Sequence, residues 1–313
     1  MKVEKLIEII GADFYTGVPD SQLKALCNYL MHTYGICPDH HVIAANEGNC
    51  TALAAGYHLA TGKVPVVYMQ NSGEGNAVNP LLSLVDREVY NIPLLLIIGW
   101  RGEPNVHDEP QHVKQGKVTL ALLETMGIPY AVLDEHWKVQ VAEALEYIKE
   151  QQGIYALVIR KGTFEEYTLQ RVENDESTLS REEAIQAVGT HLKQDDVVVS
   201  TTGMISRELY EYRDALFQGH QADFLTVGSM GHASQIALSI ALQHPERRVF
   251  IFDGDGAMLM HMGSMAIIGD YCLPNLVHIV FNNGAHDSVG GQPTVANRIN
   301  LNLIAEAVGY AYT

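Results

Sequence analysis

Seven short, nearly unbroken runs of Val, Ile, Leu and aromatic residues recur along the chain: HVIAA (41–45), VPVVYM (64–69), PLLLIIGW (93–100), YALVIR (155–160), DVVVST (196–201), RRVFIFD (247–253) and LVHIVFN (276–282). A strand with one solvated face alternates apolar and polar residues. A continuous apolar run needs cover on both faces, which a parallel sheet sandwiched by helices provides. The segments between the runs, VEKLIEII, SQLKALCNYLMHTY, GNCTALAAGYHLA, VQVAEALEYIKE and REEAIQAVGTHLK, carry helical spacing. The pattern predicts an α/β protein built of parallel sheets flanked by helices.

The alternation breaks once, at TFEEYTLQRVENDESTL (163–179), which is polar, acidic and aperiodic. It reads as a linker, giving a first domain over 1–163, a linker over 164–180 and a second domain over 181–313. Ser180-Arg181-Glu182-Glu183 has the pattern of a capping box and opens the second domain. With 313 residues, 47% hydrophobic and 18% charged, the chain has apolar material for two such domains.

A formal net charge of −17 disfavours nucleic acid and anionic membrane. An anionic small-molecule ligand would need a local cluster of cations. Cys27, Cys37, Cys50 and Cys272 form no C-x-x-C pair and read as reduced thiols of a cytoplasmic protein. The opening MKVEKLIEIIGADF lacks the apolar core and cleavage site of a leader, and no uncharged stretch reaches bilayer length. Neither secretion nor membrane insertion is expected.

The segment with the most chemistry is IFDGDGAMLMHMGSMAIIGDYCLPNLVHIVFNNGAHDSVGG (251–291). Gly254-Asp255-Gly256 follows one apolar run, and Asn282-Asn283-Gly284 follows the next after a helical stretch and a Pro turn. An acid and two amides thus fall at the carboxyl ends of two parallel strands, the edge where open α/β sheets bind ligands. A carboxylate, amide oxygens and a backbone carbonyl form an all-oxygen set suited to Mg²⁺, which also takes oxygens from a bound phosphate. Glycines let a diphosphate approach the backbone, and a helix N-terminus adds N–H donors. An EF-hand starting at Asp253 fails, because Ala257, Met258 and Ser264 stand where a ligand, a Gly and a Glu are required. A dinucleotide fingerprint fails because Leu259 stands in place of the third Gly. The bland alternative is a turn with Gly and Asp capping a helix.

This segment resembles the cofactor motif of the thiamine-diphosphate (ThDP) enzymes, which begins Gly-Asp-Gly and ends Asn-Asn after a similar gap. The resemblance implies that Asp255, Asn283 and the Ala285 carbonyl bind Mg²⁺, with Gly254, Gly256 and Ala257 around the diphosphate. It also implies a carboxylate in the other domain that works the aminopyrimidine and so generates the C2 ylid. Glu47, after HVIAA and opening a small-residue helix in a family-like N-E-x-x-A pattern, matches it. Its plain alternative is an acid in a helix first turn. Gly228, Ser229 and Met230, between DFLT and HASQIALSIAL, match the loop that contacts the pyrimidine, with Met230 propping the bent cofactor. Thr201 and Thr202 match the diphosphate-side loop. Fold, by the same resemblance, is two ThDP-binding domains, pyrimidine-type then diphosphate-type. In this family the Glu and the diphosphate site of one cofactor come from different subunits, so a homodimer or higher oligomer is implied.

TGVPDSQLKALCNYL, QNSGEGNAVNPLLSL, IIGWRGEPNVHDEPQHVKQG and GGQPT resemble the phosphonopyruvate decarboxylase branch, with the sulfopyruvate decarboxylases as the alternative. The implied activity is a carboxy-lyase reaction: 3-phosphonopyruvate to phosphonoacetaldehyde and CO₂, through an enamine, with ThDP as the electron sink. Asp20 matches the family's proton-handling acid. Arg101, His112, Lys114 and Lys117, placed in a loop after PLLLIIGW, are the candidate cations for a small anionic 2-oxo acid, with His112 also a candidate catalytic group. His286 and Gln292, the latter in an anion-binding turn with Gly290 and Gly291, complete the substrate set. Solvated surface is the alternative for Lys114 and Lys117, and a helix cap or surface His for His112. Asn71 and Asn79 read as structural caps. A pyruvate decarboxylase is disfavoured, since His40-His41 starts a strand and no other adjacent pair of histidines is present. A non-catalytic ThDP-binding subunit would not need Glu47, and an Mg²⁺-dependent phosphohydrolase would leave Glu47 and the Met230 loop unexplained. The chain stops at AEAVGYAYT, inside a helix leading toward a strand, where the family continues, so a truncated or shortened form is expected.

Overall fold

The computed structural model describes residues 1–169 and 179–313. The chain forms two compact units, Met1–Arg171 and Val172–Thr313.

The first unit contains helices α1 (Val3–Ile10), α2 (Lys24–Thr33), α3 (Glu47–Thr61), α4 (Glu74–Pro80), α5 (Pro110–Thr125) and α6 (Trp137–Gln151). Its strands are β1 (Tyr15–Gly17), β2 (His41–Ile43), β3 (Val66–Gln70), β4 (Leu94–Gly99), β5 (Tyr130–Val132) and β6 (Ile154–Ile159), all parallel, in the order β2-β1-β3-β4-β6-β5. The unbroken apolar run LLLIIG is central and every residue of it is buried, the cover on both faces that its composition demands. One layer of the core gathers Val3, Leu6 and Ile7 of α1 and Leu26 and Leu30 of α2 against Tyr68 and Ile97 of the sheet. Chain order reverses between β1 and β3, so the loops after these strands flank the switch point.

The second unit contains helices α7 (Arg181–Gly189), α8 (Met204–Ala215), α9 (Ala233–Gln243), α10 (Asp255–Met260), α11 (Gly263–Tyr271) and α12 (Leu301–Ala307). Strands β7 (Val197–Ser200), β8 (Asp223–Leu225), β9 (Val249–Gly254) and β10 (Leu276–Phe281) form a parallel sheet in the order β10-β9-β7-β8, and β11 (Ala285–His286) pairs with β12 (Gln292–Pro293) as a separate antiparallel ribbon. The order reverses between β7 and β9, whose following loops carry Thr201-Thr202 and Asp255-Gly256. The capping box at Ser180 is formed: its hydroxyl accepts from the Glu183 N–H, and the Glu183 carboxylate accepts from the Ser180 N–H.

Three expectations change. The stretch from Ala257 to Cys272 is two helices, broken at His261-Met262. The His261 ring packs against His232, at 4.5 Å between centroids, and lies over Gly231, a tertiary contact that overrides a continuous helical pattern. The supposed loop carrying His112, Lys114 and Lys117 is helix α5, opened by Pro110 at its first position. The start of the expected linker is anchored: Phe164 and Tyr167 pack on the first unit's core, and Asn28 donates to the Tyr167 carbonyl. The rest of the expected linker, from 170 to 178, lies outside the described residues. Among the described residues no helix is long and apolar enough to cross a membrane.

Candidate active site

In the first unit the functional candidates stand at strand ends. Glu47 is the first residue of α3, behind Asn46, whose side chain caps the helix at the Asn49 N–H. The Glu47 side chain is buried, and Asn76 of α4 donates to its Oε2 at 2.8 Å. Burial holds the carboxyl above its usual range, against the pull of the Asn76 hydrogen bond. Gly73 completes the enclosure: a Cβ there would stand 2.4 Å from Glu47 Oε1, so only glycine admits the carboxylate.

Asp20 follows β1 and is 1% exposed. Its Oδ2 accepts from the N–H groups of Gln22 and Leu23, at 3.0 and 3.2 Å, while Oδ1 has no hydrogen-bond partner among the described residues. Burial pushes the carboxyl up to about 7, although the Arg101 charge and the backbone donors pull the other way. A buried acid that titrates near neutrality is equipped to give or take a proton.

Arg101 is not a free cation. Its guanidinium forks onto Asp108, with Nε 2.8 Å from Oδ2, and its Nη1 donates to Ser21 Oγ at 2.7 Å. Asp108 is held well below the usual carboxylate range by that contact. His112 is half-buried on α5, and burial followed by the Arg101 charge lowers it. Lys114 and Lys117 are exposed on the same helix. Asn71 has a structural role, donating to Arg101 O and Thr119 Oγ1 and accepting from Arg101 N–H. Asn79 accepts from Ser83 through its side chain.

In the second unit Asp255, the first residue of α10, is 2% exposed. Its carboxylate accepts from the Thr294 hydroxyl and from backbone N–H groups that include Asn283, so the loops after β9 and β10 meet at this acid. Burial nevertheless raises it. The Asn283 amide is exposed, and its Oδ1 accepts from Ala285 N–H at 3.1 Å. Beside Gly254 is Thr201, buried with its hydroxyl unpartnered, and the next residue, Thr202, donates its hydroxyl to Val227 O and ties the loops after β7 and β8 together. A Cβ on Gly254 would stand at ordinary contact distance from Ile205, 3.5 Å, and from Thr201, 4.0 Å. Met230, in the loop with Gly228 and Ser229, reaches over Gly256 beside buried Ala257. His286 also faces Gly256, and burial lowers its imidazole to about 4, so the ring is neutral. Gln292 is 1% exposed in β12, and the Gly291 N–H of the expected anion-binding turn is already given to His286 O.

The donor types fit a metal–diphosphate group. Among the described residues no three His, Cys, Asp or Glu side chains gather for a metal. A cation at Asp255 must therefore be completed by amide, backbone and ligand oxygens, the mixture that Mg²⁺ with a diphosphate accepts. The unpartnered Thr201 hydroxyl is a buried donor waiting for an acceptor.

Comparison with known proteins decides the family. Residues 3–122 match the thiamine pyrophosphate enzyme N-terminal TPP binding domain, and residues 201–310 the C-terminal TPP binding domain. The chain is 34% identical to the phosphonopyruvate decarboxylase of Streptomyces viridochromogenes, over 96% of this chain and 77% of the relative. It is 33% identical to that of Streptomyces hygroscopicus, with the same shares covered. The sulfopyruvate decarboxylase of Methanosarcina acetivorans is 31% identical, over 99% of this chain and 83% of the relative. The chain belongs to the thiamine pyrophosphate enzyme family. Within it the chain falls among the decarboxylases, carboxy-lyases that act on small 2-oxo acids. Sequence reasoning missed the residues that hold the two key acids, Asn76 and Gly73 for Glu47 and Thr294 for Asp255. Asn76 and Gly73 lie in QNSGEGNAVN and Thr294 in GGQPT, stretches whose composition is unusual but whose contacts are set by the fold.

Proposed function

We propose that this protein decarboxylates 3-phosphonopyruvate to phosphonoacetaldehyde and CO₂ with thiamine diphosphate and Mg²⁺. The observation that carries the reading is the likeness to phosphonopyruvate decarboxylases, which runs through 96% of the chain. Bound ThDP supplies the electron sink that loss of CO₂ from a 2-oxo acid requires. On this reading residues 1–163 are the pyrimidine-binding domain, 164–180 the linker and 181–313 the diphosphate-binding domain. Asp255, Asn283 and the Ala285 carbonyl hold Mg²⁺. Thr201, Thr202, Gly254, Gly256 and Ala257 receive the diphosphate, and Gly228, Ser229 and Met230 receive the pyrimidine.

Glu47 holds a proton on its carboxyl for exchange with the pyrimidine ring, a task its enclosure supports by keeping water away and its affinity for a proton high. Asp20 hands a proton to the carbon that CO₂ leaves. Arg101, His112, Lys114, Lys117, His286 and Gln292 receive the substrate anion, with the Asp108 contact holding Arg101 in place until an anion competes for it. The working unit is a homodimer, each site drawing Glu47 from one chain and Asp255 from its partner, in the cytoplasm.

Sulfopyruvate is the second reading, because a sulfopyruvate decarboxylase is matched at 31% identity over nearly the whole chain. The test is CO₂ release from phosphonopyruvate, sulfopyruvate and pyruvate, side by side, with metal-stripped protein and with ThDP and Mg²⁺ restored. Phosphonopyruvate should turn over fastest, and only with both additions. Faster turnover of sulfopyruvate would transfer the assignment to the second reading, and phosphate release without CO₂ would overturn both.

A further inference from the structure

Beneath the Asp255 turn lies a polar chain to which neither the family resemblance nor the proposed reaction gives a role. In the β9–β10 pairing Val280 stands opposite Asp253, so His278, two residues before Val280, projects from the same face of the sheet as Asp253. His278 Nε2 is 3.5 Å from Asp253 Oδ2, and the two side chains are 3% and 1% exposed. On the other side of the ring, Nδ1 is 2.9 Å from the hydroxyl of Tyr310, which follows α12. With the acceptor-only Asp253 carboxylate beside Nε2, the favoured tautomer carries its proton there and takes the Tyr310 hydroxyl as donor at Nδ1. Asp253 Oδ1 in turn accepts from the Gly254 N–H at 3.1 Å. Gly254 caps α10, whose first residue is Asp255.

Hydroxyl, imidazole, carboxylate and cap amide thus lie in one line ending at the residue before the proposed metal ligand, hydrogen-bonded at both ends and joined in the middle by a 3.5 Å polar contact without hydrogen-bond geometry. A buried carboxylate is costly without polar neighbours, and here it has the Gly254 N–H and the His278 ring. We propose that Tyr310 and His278 are positioning residues for the metal–diphosphate turn, acting through Asp253 and the Gly254 amide to fix the direction in which Asp255 is presented. The inference rests on the reading of Asp255 as an Mg²⁺ ligand.

The test is calorimetric titration of Mg²⁺ into protein with saturating ThDP, for wild type, Tyr310→Phe, His278→Asn, the double variant and Asp255→Asn, together with each protein's melting temperature without ligand. Tyr310→Phe removes one oxygen and should weaken Mg²⁺ binding by roughly tenfold, the order seen for groups that orient metal ligands from behind. His278→Asn should weaken it at least as much, and the double variant no further than His278→Asn, since both act through one line. Unchanged Mg²⁺ affinity in both single variants, with Asp255→Asn abolishing binding, would overturn the positioning role and leave the metal site standing. A lowered melting temperature with unchanged affinity would also overturn it, as a purely structural contact. Full Mg²⁺ binding by Asp255→Asn would overturn the metal assignment itself, and the inference with it.

Discussion

At the scale of single residues, desolvation raises two buried acids, of which the proposed reaction uses only one. Asp20 is pushed to about 7 and sits within the field of Arg101, which holds it below what burial alone would give. If the protonated form does the work, turnover falls as pH rises through about 7. Arg101→Ala removes the opposing charge, and the inflection in kcat should move to higher pH by about one unit, while Asp20→Asn should abolish it. A pH–rate profile of the three proteins reads this directly; an unmoved inflection would show that another group governs it.

Glu74 is different. It is 1% exposed, both its oxygens lack a partner among the described residues, and burial alone pushes it up to about 8. It lies on the same face of α4 as buried Ala77, and nothing in the proposed reaction uses it. The folded state holds this proton over a pH range in which the unfolded state has released it. The stabilisation is therefore complete below the unfolded value of about 4.5 and is lost as pH rises toward 8. Each unit of that displacement corresponds to about 1.4 kcal/mol. Glu74→Gln should be increasingly more stable than wild type as pH climbs from 5 to 8, with the gap constant above that, as urea unfolding at several pH values would show. A pH-independent gap would mean that Glu74 is ionised in the fold.

At the scale of elements, legibility followed length and apolarity. The seven runs that read as strands are strands, because short runs of consecutive apolar residues bounded by turns have few other solutions, although β2 keeps only three residues of its run. β1, β5 and β8 are three residues each, too short to establish a period, and unlike the equally short β2 they lie in no long apolar run. Segment 71–85 was legible as a resemblance but not as structure. It passes from a 3-10 turn through α4, with Pro80 inside, into a π-helical turn, so no single period runs through it. Yet this segment supplies Gly73 and Asn76, which frame Glu47. The acids themselves were legible because a carboxylate at the end of an apolar strand is conspicuous. Their supports were not, since Asn76 is 29 residues from Glu47 and Thr294 is 39 from Asp255. Gly73→Ala tests the frame. Its Cβ would meet Glu47 Oε1 at 2.4 Å and must displace the carboxylate, so kcat should fall by about a hundredfold while the ThDP dissociation constant changes little. Equal kcat in the variant would mean that the Glu47 position is loosely specified.

At the scale of the whole molecule, the two compact units match the family's N-terminal and C-terminal TPP binding domains in turn. Glu47 comes from the first unit, and Asp255 from the second. Both lie at the carboxyl edges of their sheets, Asp255 beside the switch in strand order and Glu47 after the edge strand β2, where such sheets bind ligands. On the proposed reading the two acids meet in one site shared between partner chains. Glu47→Gln and Asp255→Ala should each be nearly inactive as pure homodimers, reduced at least about 10²-fold. The decisive measurement is CO₂ release by the mixed dimer of the two variants, co-expressed with different affinity tags and purified through both, in saturating ThDP and Mg²⁺. One of its two sites would then contain both acids and the other neither. Recovery of about half the wild-type turnover is the predicted result. A mixed dimer as inactive as its parents, or wild-type rates in either parent, would contradict the account.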